Sequence, residues 1–177
     1  MSDWTNEKET LGYEYPNLPY LQDGDVRITE TAAIMKYVAK KYKPELLGRT
    51  AAELGRVEML SAHVGTLKMK STMPCYASDD RAPIIEECRP ILAKLVEVQG
   101  SDLYIAGQNI TYLDFFYVEL LEFLDFLSEG KFYEEFPATK AYYDRLVSLP
   151  ELKDYMADDE RCPKKPFNGL MAKINNM

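Results

Sequence analysis

Apolar residues in this chain follow two regimes. Up to about residue 43 they are interleaved with prolines and charges in short runs; from residue 51 they recur every three or four positions. The second regime predicts helices. Leu54, Val57, Leu60, Val64 and Leu67 mark one side of a long helix from Ala51 to Tyr76, which Pro74 bends or ends. Ile84, Ile85, Cys88, Ile91, Leu92, Leu95 and Val96 mark the inward face of another from Ala82 to Gln99, interrupted and kinked by Pro90. The segment from Phe115 to Leu127 is apolar on most sides, through Phe116, Val118, Leu120, Leu121, Phe123 and Leu124, and so belongs in the middle of a bundle. Thr111-Tyr112-Leu113-Asp114 starts it as a capping box, with the carboxylate three residues on reaching back to the cap amide. Pro137 to Val147 and Glu151 to Met156 are the last helices, the latter started by Pro150. Asp158 to Met177 is a tail with proline and lysine and no clear period.

The first regime reads differently. Asp3 to Thr10 predicts a short helix or turn capped by Ser2 or Asp3. Asn17-Leu18-Pro19 is extended, because each proline pushes its predecessor out of helical geometry. Two short strands, Pro19 to Gln22 and Val26 to Ile28, flank Asp23-Gly24-Asp25, a strong hairpin signal. Thr29 is expected to cap a helix with Ala32, Ala33, Ile34, Tyr37 and Val38 as its apolar positions. Lys43 to Arg49, with Pro44 and Gly48, reads as a linker. The layout is therefore α+β and mostly helical: an αββα piece over residues 1–43, a linker over 44–50, and an all-helical unit of about five helices over 51–177.

Composition narrows the function. The net charge of −8 repels phosphate, so neither nucleic acid nor an anionic membrane surface is an expected partner. No apolar run approaches the ~20 residues of a bilayer span, so no membrane insertion is expected. The first residues are polar and charged, without a signal peptide pattern. Cys75, Cys88 and Cys162 are an odd count without paired spacing, which suits a reducing compartment, cytoplasmic or organellar. His63 is the single histidine and there is no Cys-x-x-Cys, too few ligands for a nitrogen–sulfur metal site; His63 is expected to be a half-buried helix residue.

Four motifs in order carry more information: Trp4-Thr5-Asn6-Glu7-Lys8, Pro16-Asn17-Leu18-Pro19-Tyr20, Ile28-Thr29-Glu30-Thr31-x-Ala33-Ile34 and Ile110-Thr111-Tyr112-Leu113-Asp114-Phe115. With the layout, they resemble a mu-class glutathione transferase over essentially the whole chain, Trp4 to Asn175. The resemblance implies a thioredoxin-like N-terminal segment followed by the family's helical domain, with glutathione as ligand or cosubstrate and no other cofactor. It implies that Trp4 and Lys8 grip the glycine carboxylate, aided by Asn17. It implies that Leu18, before a cis Pro19, pairs its backbone with the cysteinyl part, and that Glu30 and Thr31 meet the γ-glutamyl end. There the family usually has Gln and Ser; Thr31 keeps the hydroxyl, while Glu30 sets an acid beside an anion. Thr66 stands where the family often has an acid that reaches the partner's glutathione. Tyr76 matches an auxiliary proton donor, Met69 an electrophile-pocket residue, and Tyr15 the aromatic that inserts into the neighbouring subunit. Each has a plainer reading as packing, turn geometry or a solvated charge; Thr111 and Asp114 are helix capping.

The resemblance also implies that the family's opening βαβ unit, ~30 or more residues, is absent before Trp4, and with it the tyrosine that favours the glutathione thiolate. A thiol near pKa ~8.5 is mostly protonated at neutral pH. The expected function is then a catalytically inert structural or binding subunit. It would belong to a homodimer, or to an assembly in which another polypeptide covers the open edge of the first strand. The alternative is a glutathione transferase whose first residues lie upstream of Met1.

Overall fold

The computed structural model describes residues 2–162, 166–167 and 171–174. The chain opens with a six-residue helix α1 (Ser2–Glu7), continued by a 3-10 turn at Lys8–Thr10. The proposed caps, the Ser2 and Asp3 side chains, lie outside the described residues. Strands β1 (Tyr20–Asp23) and β2 (Val26–Thr29) pair antiparallel, Tyr20 opposite Thr29 and Asp23 opposite Val26. Gly24 takes a φ of 61° in the tight turn between them, a conformation glycine adopts without steric cost. Helix α2 (Thr31–Tyr42) follows. Asp23 accepts hydrogen bonds from the Tyr37 hydroxyl (2.8 Å) and the Lys41 ammonium, which locks the hairpin turn to α2. Lys41 first, then Tyr37, holds the Asp23 carboxyl below its ordinary range.

A 3-10 turn at Pro44–Leu47 leads into the helical unit: α3 (Ala51–Thr72), α4 (Arg81–Gln99), α5 (Tyr112–Leu127), α6 (Phe132–Glu135), α7 (Pro137–Val147) and α8 (Pro150–Met156). Val57, Leu60, Val64 and Leu67 on α3, Ile84, Cys88, Leu92 and Leu95 on α4, and most of α5 form one core. As its pattern predicts, α5 is buried on most sides and sits inside the bundle. Lys36 on α2 joins Glu58 on α3 at 2.5 Å, and the Tyr112 hydroxyl of α5 donates to the same carboxylate at 3.1 Å. These bonds fasten α2 to the bundle.

Several expectations need correction. Thr29 does not cap α2; the cap position is Glu30, and the Thr29 hydroxyl instead donates to the Tyr15 carbonyl at 2.9 Å. The long helix stops at Thr72, and Met73–Tyr76 tighten into a 3-10 turn because Pro74 cannot continue the α pattern. Pro90 does not interrupt α4, which runs through it from Arg81 to Gln99. Leu54 is 41% exposed and His63 is exposed, not half-buried. Phe116 is only partly buried. The short helix α6 had no predicted counterpart. The aperiodic tail, as far as it is described, returns to the core: Phe167, Ala172 and Ile174 are buried, and the amides of Lys173 and Ile174 donate to the Cys75 carbonyl.

The capping box at α5 is heavily bonded. Asp114 is fully buried. Its carboxylate accepts from the amides of Ile105 (2.9 Å) and Thr111 (2.7 Å) and from the hydroxyls of Thr111 (2.9 Å) and Tyr142 (2.7 Å). Burial pushes its carboxyl above the ordinary 3.8, against those four bonds. Asp114→Ala strips several buried donors of their acceptor and is expected to cost roughly 3–5 kcal/mol. Tyr142→Phe is expected to cost about 1–2 kcal/mol; urea unfolding measures both. Because the folded carboxyl binds its proton more tightly than the unfolded one, this group's contribution to stability falls as pH rises from about 4 through the raised value. The advantage of the wild type over Asp114→Asn is therefore expected to shrink between acid and neutral pH.

Candidate functional site

The hairpin register brings the candidate residues toward one end. Because Tyr20 faces Thr29, the residues just before β1 (Asn17, Leu18, Pro19) and just after β2 (Glu30, Thr31) lie side by side at its open end. The Leu18–Pro19 peptide is cis. Trp4 reaches this end from α1: its indole stacks on Tyr20, centroids 6.2 Å apart and planes 10° from parallel. Lys8 lies one turn further on, its ammonium 3.5 Å from Glu9. The Leu18 amide donates to the Asn17 side chain at 2.9 Å, so a ligand that takes this amide must displace that bond.

Glu30 is the conformational oddity of the site. Its φ of 71° and ψ of 116° lie outside the regions an L-residue populates readily. The turn from β2 into α2 demands this geometry, since the Glu30 carbonyl accepts from the Ile34 amide at 3.0 Å and opens the helix. Thr31 is exposed in the first turn of α2, where unpaired amides and the helix dipole favour an anion. The apolar side of α2 is partly bare: Val38 is exposed and Tyr42 is 72% exposed.

The remaining candidates sit elsewhere. Met69 is exposed near the end of α3, and Tyr76 lies in the following 3-10 turn with its ring edge-on to Phe167, centroids 5.6 Å apart. The Thr66 hydroxyl is turned onto its own helix and donates to the Ala62 carbonyl at 3.0 Å. Tyr15 projects from the loop before the hairpin, 79% exposed. Two features were not anticipated from sequence. One is the Trp4–Tyr20–Tyr13 ring cluster, for which the recurrence of aromatics at 13, 15 and 20 after a tryptophan was the available signal. The other is an apolar groove of about 500 Å³ between α3 and α4, lined by Met59, His63, Ile91 and Lys94 among others. Its signal was exposed Met59 amid core positions 57 and 60.

Among the described residues no group of three or more His, Cys, Asp or Glu is placed to hold a metal ion. No helix there is long and apolar enough to cross a membrane.

A hairpin that runs into a helix, mounted on a helical bundle with a buried capping box, is the arrangement of the glutathione transferase class. The family model for the glutathione S-transferase N-terminal domain matches residues 1–40, and that for the C-terminal domain matches residues 75–159. Glutathione S-transferase 2 of Gallus gallus is 33% identical over 182 residues, 99% of this chain and 79% of the relative. Glutathione S-transferase Mu 3 of Homo sapiens is 32% identical over 178 residues, 99% of this chain and 77% of the relative. The crystal structure of the glutathione S-transferase Blo t 8 superposes with a TM-score of 0.85 at 30% identity, over 99% of this chain and 83% of that one. The chain belongs to the glutathione transferase family, and mu-class members are among its relatives.

The strain at Glu30 yields a test. Glu30→Gly is expected to be more stable than Glu30→Ala by about 1 kcal/mol or more. That order is the reverse of an ordinary helix position, and thermal unfolding of the two variants measures it.

Proposed function

We propose that this polypeptide is a glutathione-binding subunit of a dimer and that by itself it does not accelerate conjugation of glutathione to electrophiles. The observation that supports the reading best is the convergence of Trp4, Asn17, Leu18 and Thr31 at the open end of the hairpin. Each answers a part of the tripeptide. The Trp4 indole N–H and the Lys8 ammonium suit the glycine carboxylate, with Asn17 beside them. The Leu18 backbone suits the cysteinyl part. The Thr31 hydroxyl and the start of α2 suit the γ-glutamyl carboxylate. Glu30 repels that carboxylate but has the neighbouring γ-glutamyl ammonium to meet. In this reading residues 1–43 hold the ligand, 44–50 link, and 51–177 form the helical unit.

Every residue in this assignment handles the ends or the backbone of the tripeptide; none of them is assigned to its sulfur. A thiol without a donor stays largely protonated at neutral pH. Losing an oxyanion-type donor costs roughly 10²–10³ in rate. The auxiliary candidate Tyr76 packs its ring on Phe167, and Thr66 bonds its own helix. A second reading, an active glutathione transferase with Met69 and Tyr76 at the electrophile, is favoured by the names of the relatives.

The dimer rests on Tyr15 and the α3–α4 groove. A two-fold interface in which each Tyr15 ring enters the partner's groove would bury an aromatic anchor that is otherwise in water. The outer edge of β1 is a further surface for a second polypeptide. Cys75 and Cys88 are buried thiols, with burial pushing Cys88 up to about 11; this fits a reducing intracellular compartment, cytoplasmic or organellar.

Calorimetry with reduced glutathione and a conjugation assay with chloro-dinitrobenzene on the same preparation test the ligand reading. Saturable heat without rate acceleration is expected. Acceleration by orders of magnitude would establish the transferase reading instead, and absence of heat would refute both. By sedimentation, the wild type is expected to be a dimer and Tyr15→Ala to dissociate at least tenfold more readily, about 1.4 kcal/mol; a monomeric wild type would contradict this.

A further inference from the structure

Trp4 is the single tryptophan of the chain. It stands on a six-residue helix, far too short to hold its own conformation in water. An indole offers one hydrogen-bond donor, and its direction is set by the tilt of the ring. If Trp4 is to present that N–H to a carboxylate, something outside α1 must fix the ring.

Tyr20 is placed to do so. It is the first residue of β1, directly after Pro19, and its backbone is held by pairing with Thr29. Its ring lies nearly parallel to the indole, 6.2 Å away. The ring of Tyr13 meets Tyr20 in turn, at 5.1 Å and a tilt of 55°. The Tyr13 hydroxyl is buried and has no hydrogen-bond partner among the described residues, so the ring is the part of Tyr13 that the cluster uses. Offset and tilted aromatic pairs at these separations attract beyond simple area burial.

We infer that Tyr20, backed by Tyr13, is a positioning residue that holds the Trp4 indole in its ligand-facing orientation. The stack couples the strand that follows Leu18–Pro19 to the residue that takes the glycine end. The two ends of the ligand edge are thus set by one rigid element. The consequence for affinity rests on the glutathione reading above; the stack itself rests on ring geometry alone.

The sole tryptophan makes the inference measurable in the intact 177-residue chain. The fluorescence of Trp4 is read with acrylamide as quencher, and glutathione affinity is read by calorimetry. Tyr20→Leu keeps an apolar strand residue but removes the ring face. It is expected to raise acrylamide quenching about twofold or more and to weaken glutathione about tenfold, with the circular dichroism spectrum unchanged. Tyr20→Phe and Tyr13→Phe are expected to leave both readouts near wild type. In a Trp4→Phe background, which lacks the donor already, Tyr20→Leu is expected to cost little more affinity, because the two residues act as one unit.

Unchanged quenching in Tyr20→Leu would overturn the inference. So would a full additive loss in the Trp4→Phe background, since Tyr20 would then act independently of the indole. Should Tyr20→Leu lose its native spectrum, Tyr13→Ala carries the same test, with a smaller rise in quenching expected and no rise overturning the inference. Exposure of Trp4 in these variants without any glutathione heat in the wild type would uphold the positioning and sink the ligand reading alone.

Discussion

A single buried carboxylate organises the helical unit. Asp114 draws the first turn of α5, the loop at Ile105 and the middle of α7 onto one group through four hydrogen bonds. A carboxylate so deep is expensive unless each lone pair is met. Here the donors come from three separate segments, so the same charge that costs desolvation also fixes where those segments meet. With α5 fixed, α3 and α4 have a surface to pack on, and the Glu58 carboxylate can bridge Lys36 of α2 and Tyr112 of α5. The hairpin and its candidate site are therefore attached to the bundle through α2, and their position is inherited from the core.

The hairpin then does for the site what the capping box does for the bundle. Four residues per strand in one register align Pro19 with the start of α2. The strained backbone at Glu30 lets β2 run directly into a helix whose first residues are exposed and whose start carries no side-chain cap. Asp23, tied to Tyr37 and Lys41, keeps the far end of the hairpin from swinging away from α2. The edge is accordingly rigid at both ends, while its apolar surfaces at Tyr15, Val38 and Tyr42 stay open. Those open apolar surfaces are the ones on which the proposed dimer reading draws.

Much of this was legible in the sequence, for identifiable reasons. The long helices have strong periods, and α3, α4, α5 and α7 lie where those periods put them. The hairpin was legible because Asp23-Gly24-Asp25 admits few other conformations. The capping box was legible because a threonine and an aspartate three apart leave one reading. The failures have local causes. Thr29 looked like a helix cap by residue type, but its hydroxyl is spent on the Tyr15 carbonyl, fourteen residues away, and the helix starts on a glutamate at positive φ. Pro90 looked like an interruption because sequence rules weigh the lost amide and not the surrounding packing. Leu54 fits the α3 period yet stays 41% exposed, because a period marks a helix face and not how much of it neighbours cover. The candidate site was proposed from a set of motifs, and its ring cluster was not foreseen, because a stack between Trp4 and Tyr20 depends on how the chain turns back between them.

The account stands or falls on whether glutathione seats at the open end of the hairpin. Amide hydrogen exchange with and without the tripeptide reads this directly, residue by residue. Added protection is expected at Leu18, at Thr31 and through the first turn of α2, with α4 and α7 unchanged. Protection confined to the helical unit, or none anywhere at saturating glutathione, would contradict it.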